Sequence, residues 1–104
     1  MMINFNTDNH IESSAEMIKH FQSTVQEILG RFEEDITRVE IHVKDVNAGK
    51  EGTPDKHCTL EARLKGFDPI TTSAESTEVH HSVKQAAEKM KSVLNKKFEK
   101  RNNH

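Results

Sequence analysis

Apolar residues recur along this chain with two different periods, and the switches between them mark out its elements. Ile3 and Phe5 alternate with Asn4 and Asn6, which predicts a short half-buried strand. Ser13 and Glu16 form an S-x-x-E pair, the spacing at which a hydroxyl and a carboxylate satisfy the free amides of a helix start. Beyond them Ile18, Phe21, Val25, Ile28, Leu29 and Phe32 fall on one arc at about 100° per residue, a single core-facing stripe. Glu33, Glu34 and Asp35 suit a helix C-terminus poorly because the macrodipole is negative there, so this helix is expected to stop near Phe32.

The period then changes. Val39, Ile41 and Val43 alternate with Arg38, Glu40, His42 and Lys44, and Cys58, Leu60, Ala62 and Leu64 alternate with His57, Thr59, Glu61, Arg63 and Lys65. Both read as strands with one wet face. Asn47 to Lys56, with Gly49, Gly52 and Pro54, reads as a long hairpin loop, and pairing about it would set His42 near Glu61 and Glu40 near Arg63. Gly66, Phe67, Asp68 and Pro69 predict a turn, and Ile70, Thr72 and Ala74 a fourth strand. Ser76 can cap a last helix with Glu78 in its first turn, along which Val79, Val83, Ala86, Ala87, Met90, Leu94 and Phe98 keep helical spacing.

The order is therefore β-α-β-β-β-α. A strand, a helix and a second strand favour a right-handed crossover with those strands parallel, and the later hairpins extend the sheet antiparallel. Each helix has one apolar stripe and the sheet one apolar face. The expected fold is α+β with two layers: a four-stranded mixed sheet carrying both helices on the same face. Residues 1–101 are expected to form one domain and 102–104 a tail.

Charge adds what periodicity does not show. Residues 84–104 hold seven of the 15 basic side chains against Glu88 and Glu99, a net of +5, while residues 1–83 are net −7. A nearly neutral protein is thus electrically lopsided, and such asymmetry governs how a surface meets a polyanion. On a helical wheel Lys89, Lys96 and Lys100 line one flank of the apolar stripe and Lys84 with Lys91 the other, with Glu88 and Glu99 pointing outward between them. Lys97 falls inside the apolar arc, where a buried charge is costly, so the helix is expected to outrun the core around Val93 or Leu94 and project as a basic rod. Lysines on a helix are ordinarily only a solvated face. Solubility does not require collecting the cations at one end, whereas phosphate binding does.

Other chemistry finds little support. His80 and His81 are adjacent and diverge by about 100°, and no carboxylate or cysteine joins His42 and His57 at ligand spacing, so no metal site is expected. Cys58 faces the side of its strand opposite to His57, which excludes a nucleophile–base pair and places the thiol in the core. There is no phosphate-cradling glycine loop and no catalytic serine signature. A non-enzymatic protein without cofactor or small-molecule substrate is expected. No apolar run approaches the roughly 18 residues of a membrane span, Met1 to His10 lacks the features of a secretory signal, and the single cysteine suggests no oxidising compartment, so the expected location is the cytoplasm.

These features together resemble the short form of the ribosome hibernation promoting factor family, also called ribosome-associated inhibitors or ribosomal subunit interface proteins. The likeness covers nearly the whole chain: the Ile3-Asn4-Phe5 strand, Ile11-Glu12 ahead of the first helix, Val39 to Lys44, Ser73-Ala74-Glu75, and then Lys89, Leu94, Lys96 and Lys100 in the last helix. The resemblance implies a sheet and two helices similar to a double-stranded RNA-binding domain. It also implies binding to the small ribosomal subunit near its decoding centre, across the mRNA and tRNA sites, which would silence translation in starved or stationary-phase cells. Inhibition would be steric, held by contacts to the ribosomal RNA backbone, with shape carrying the selectivity. Lys84, Lys89, Lys91, Lys96 and Lys100 are the expected RNA contacts. The dimerising domain of the long forms is missing, so a monomer is expected off the ribosome.

The chain departs from that family at several positions. Thr24 and Glu27 stand where the first helix usually carries basic residues, Lys84 where an acidic residue is common, and His80 where an aromatic is usual. Positive surface is therefore expected on the last helix alone, with ribosome affinity weakened or reoriented. The alternative is a protein-docking module of the same fold, using the wet sheet face that bears Arg38, Glu40, His42, Glu61 and Arg63.

Overall fold

Parallel pairing of the first two strands organises the molecule. In a computed structural model, which describes residues 1–8, 11, 13–46 and 55–102 and side chains up to Glu99, the elements run β1 (Met2–Thr7), α1 (Ala15–Leu29), β2 (Ile36–Asp45), β3 (Lys56–Leu64), β4 (Phe67–Ser76) and α2 (Val79–Asn102). The sheet order is β1-β2-β3-β4. β1 pairs parallel with β2, and the other two pairings are antiparallel. The expected two-layer α+β fold is the observed one. Most of the expected hairpin loop, residues 47–54, and the tail beyond Asn102 lie outside the described residues.

The core lies between the sheet and the two helices. Phe21, Val25 and Leu29 of α1 meet Val39, Ile41 and Val43 of β2, Cys58, Leu60 and Ala62 of β3, and Val83, Ala86, Ala87, Met90, Leu94 and Phe98 of α2 in one buried cluster. Phe5 stacks on Phe21 with ring centroids 5.4 Å apart, which seats the edge strand β1 on α1. Polar groups that enter this layer are satisfied. The Thr72 hydroxyl donates to the Ala86 carbonyl at 2.8 Å and the buried Ser82 hydroxyl to that of Val79 at 2.8 Å, so neither leaves an unpaired group in the core. Both sheet edges are tied to a helix: Gln22 Nε2 donates to Ile3 O on β1 and Lys89 Nζ to Ser73 O on β4, each at 2.8 Å. Capping edge carbonyls in this way blunts pairing with a foreign strand.

Several expectations need correction. Ser14, not Ser13, caps α1, its Oγ accepting from Met17 N at 3.1 Å; Glu16 then falls one position short of the capping-box site. The helix relaxes into a 3-10 turn over Gly30–Phe32 before the acidic run. The β2–β3 register is displaced by two residues from the expected one, setting Glu40 opposite Glu61, Arg38 opposite Arg63 and His42 opposite Thr59. Like charges directly opposite repel, and the sheet compensates along each strand: Arg38 pairs with Glu40 at 3.5 Å and Arg63 with Glu61 at 3.2 Å. Glu40 also accepts from Asn4 and Asn6 of β1.

The last turn of the sheet is tighter than expected. Gly66, with φ of 77° in the left-handed region, completes it, so that β4 begins at Phe67 and includes Pro69, tolerable on an edge strand. Glu78 lies just before α2, its amide bonded to Ser76 Oγ at 3.3 Å. The core follows α2 one turn further than expected, since both Leu94 and Phe98 are buried and Phe98 meets Phe32 and Phe67.

At the far end of the β2–β3 ladder Lys56 bridges Asp45 at 3.2 Å and Asp55 at 3.0 Å. The Lys56 hydrogen bond holds the Asp55 carboxyl below its usual range, and the same bond raises the Lys56 ammonium. Cys58 is buried as expected, and desolvation pushes its thiol up to about 12. A thiol reagent at pH 8 is therefore expected to leave the native protein unlabelled and to react at one site per chain after denaturation; absorbance of the released chromophore measures both.

Candidate nucleic-acid interface

Helix α2 is held by its apolar stripe, which leaves its two flanks and outer ridge to solvent. His80 stacks on His20 of α1 at 5.3 Å between centroids, so the flank it shares with Lys84 and Lys91 faces α1. Lys89 reaches β4, so the flank it shares with Lys96 lies over the outer strand. Seven residues separate the members of each pair, which spaces them about 10 Å along the axis. Lys84, Lys89, Lys91 and Lys96 are all exposed. None is ion-paired with a carboxylate among the described residues. The side chain of Lys100, the fifth expected contact, lies outside the described residues.

The cations thus form two stripes, separated by an outer ridge that carries His81, Glu88 and Glu99. Lys89 differs from the other three. Its ammonium already donates to a backbone carbonyl, so a phosphate would have to share it or displace that bond. Lys97 avoids the burial its wheel position suggested by bending outward over Phe67, Nζ standing 4.2 Å from the ring centroid. Periodicity cannot reveal that contact. The signal available in the sequence was a large aromatic among the turn residues Gly66, Asp68 and Pro69.

A second arrangement missed from sequence is the His20–His80 contact across the helices, Nε2 to Nδ1 at 3.3 Å. One ring nitrogen donates and the other accepts, the roles being set by the tautomers. Among the described residues no three His, Cys, Asp or Glu gather as a metal would require. The opposite, polar face of the sheet holds a shallow concavity of about 440 Å³ with His42, Lys44, His57 and Asp8 in its lining. On this face His57 Nε2 stands 3.6 Å from Glu75 Oε1. Among the described residues no helix is long and apolar enough to cross a membrane.

A family model described as sigma 54 modulation protein / S30EA ribosomal protein matches residues 4–102. The chain belongs to this family. The resemblance read from the strands and the basic last helix is thereby borne out. Among solved structures, the S30EA chain is similar to the N-terminal domain of Protein Y from Thermus thermophilus, with a TM-score of 0.72 and 12% identity over 92% of this chain and 98% of that one. It is also similar to a ribosomal subunit interface protein from Coxiella burnetii, with a TM-score of 0.68 and 20% identity over 92% of this chain and 96% of that one. At such identities the likeness is one of fold. Comparison with curated protein sequences finds no match.

Proposed function

We propose that this S30EA-family protein is a ribosome-associated inhibitor of translation that docks on the small subunit through the two lysine stripes of α2. The observation that carries the reading is a set of exposed cations, without carboxylate partners among the described residues, concentrated on one helix of an otherwise acidic chain. Each phosphate neutralised by such a cation releases counterions, a driving force indifferent to base sequence. Selectivity then comes from the shape of folded ribosomal RNA meeting a rigid helix on a small scaffold. Residues 1–101 act as one binding unit, a monomer off the ribosome, in the cytoplasm, and occlude the decoding region sterically. The role is one of binding, without cofactor or turnover. That the ribosomal subunit interface protein from Coxiella burnetii shares this fold supports the choice of partner.

Sedimentation of small subunits with the protein at two salt concentrations tests this. Four or five phosphate contacts predict an affinity loss of about a hundredfold or more between about 50 and about 200 mM salt. Salt-insensitive capture of a protein partner without ribosomal RNA would instead favour docking through the polar sheet face.

A further inference from the structure

Phe67 sits where the fold does not need an aromatic. The core at that end is already closed by Phe32 against Phe98, with centroids 5.9 Å apart, yet the turn at Gly66 lifts Phe67 outward until 51% of it is exposed. An edge contact with Phe98, at 5.9 Å and 72°, ties it to the interior. Next to it opens a concavity of about 590 Å³ lined by Gly66, Phe67, Asp68, Pro69, Ile70 and Lys97. The Lys97 ammonium stands at 4.2 Å from the ring centroid and has no carboxylate partner among the described residues.

We propose that Phe67 and Lys97 receive an unpaired nucleotide of ribosomal RNA, the base stacking on the ring and the backbone phosphate taking the ammonium. This rests on the ribosomal reading above and adds to it a contact of a different kind. A paired base in an A-form helix cannot present its face to a side chain, so the occupant must come from a loop, bulge or strand end. Stacking on an aromatic is stronger than an exposed cation–π contact, so a base can displace Lys97 from the ring and leave its charge free for the adjoining phosphate. Asp68, exposed at the start of β4, disfavours a phosphate on its own side and so directs the backbone toward α2. Lys96, the preceding residue on that helix, continues the path along the flank over β4. Every base has a π-face, so this platform would read strandedness rather than sequence.

The chain contains no Trp or Tyr, so Phe67→Trp introduces a lone fluorophore. Titrated with small subunits at low salt, Phe67→Trp is expected to bind like the parent and to lose emission as the indole stacks. Phe67→Leu keeps an apolar contact to Phe98 and is expected to bind about tenfold more weakly with an unchanged salt slope, since stacking releases no counterions. Phe67→Tyr should bind like the parent, and an unchanged melting temperature for Phe67→Leu separates lost stacking from a folding defect. If the parent binds, Phe67→Leu matches it and the tryptophan emission stays unchanged, the platform is wrong while the ribosomal reading stands. If the parent itself fails to co-sediment, both fall.

Discussion

Reversing Lys84, Lys91 and Lys96 to glutamate together is expected to cut affinity for small subunits by about a thousandfold at low salt. Charge-assisted hydrogen bonds contribute about 1.5 kcal/mol or more each, and three of them together exceed about 4 kcal/mol. The slope of log affinity against log salt should fall by about 2 to 3, at about 0.7–0.9 per lost phosphate. Folding should survive, because all three side chains are exposed and none is ion-paired with a carboxylate among the described residues. Each reversal does place a like charge three or four residues from Glu88 or Glu99, at a cost of only about 0.2–0.5 kcal/mol per pair. The informative control is an equal reversal at Lys19, Lys44 and Lys65, which are exposed on α1, β2 and the β3–β4 turn. Net charge changes identically in the two triples. Should both lose binding to the same degree, the contact is a diffuse field and not the helix; if neither does, the lysine stripes are not the interface.

Lys89 is omitted from that triple for a reason that no wheel projection contains. Its hydrogen bond to Ser73 O makes it partly a guard of the open β4 edge, so its replacement mixes two effects. The same distinction explains how much of the molecule was legible beforehand. Strand alternation and helical stripes report burial directly, and every buried apolar position from Phe21 to Phe98 that defined them lies in the core. Register depends on something else. With a long hairpin loop the turn cannot set the pairing, and opposite-charge matching across β2 and β3 pointed to a register two residues away from the one adopted. In the adopted register Val39, Ile41 and Val43 stand opposite Ala62, Leu60 and Cys58, and the charges take partners along their own strands. The cap of α1 falls one residue later because two serines adjoin and it is Ser14 that stands, extended, directly ahead of the first turn. Lys97 looked buried because a wheel assumes one fixed inner direction; the stripe instead drifts around α2, from Met90 through Leu94 to Phe98. Phe67 was hidden for the converse reason, its neighbours reading as a turn and its exposure following from how that turn meets the end of α2.

The drifting stripe keeps Leu94 fully buried, and Leu94→Ala is expected to destabilise the protein by about 2–5 kcal/mol. Leu94 is fully buried, whereas its neighbour Val93 is 39% exposed, so Val93→Ala at the adjacent position should cost under about 1 kcal/mol. A loss of 3 kcal/mol consumes much of the total stability of a domain this size and should lower the melting temperature by about 10–20 °C, measured by circular dichroism. Cys58 offers an independent readout. Its thiol is buried and protonated in the native state, so labelling proceeds through opened molecules, and their population should rise about a hundredfold in Leu94→Ala. The two measurements also separate scaffold from surface. The charge-reversed triple should leave melting and labelling close to those of the parent while losing the ribosome. Leu94→Ala should bind with the parent's salt slope wherever it remains folded, because its lysines are intact and only the population that presents them has shrunk.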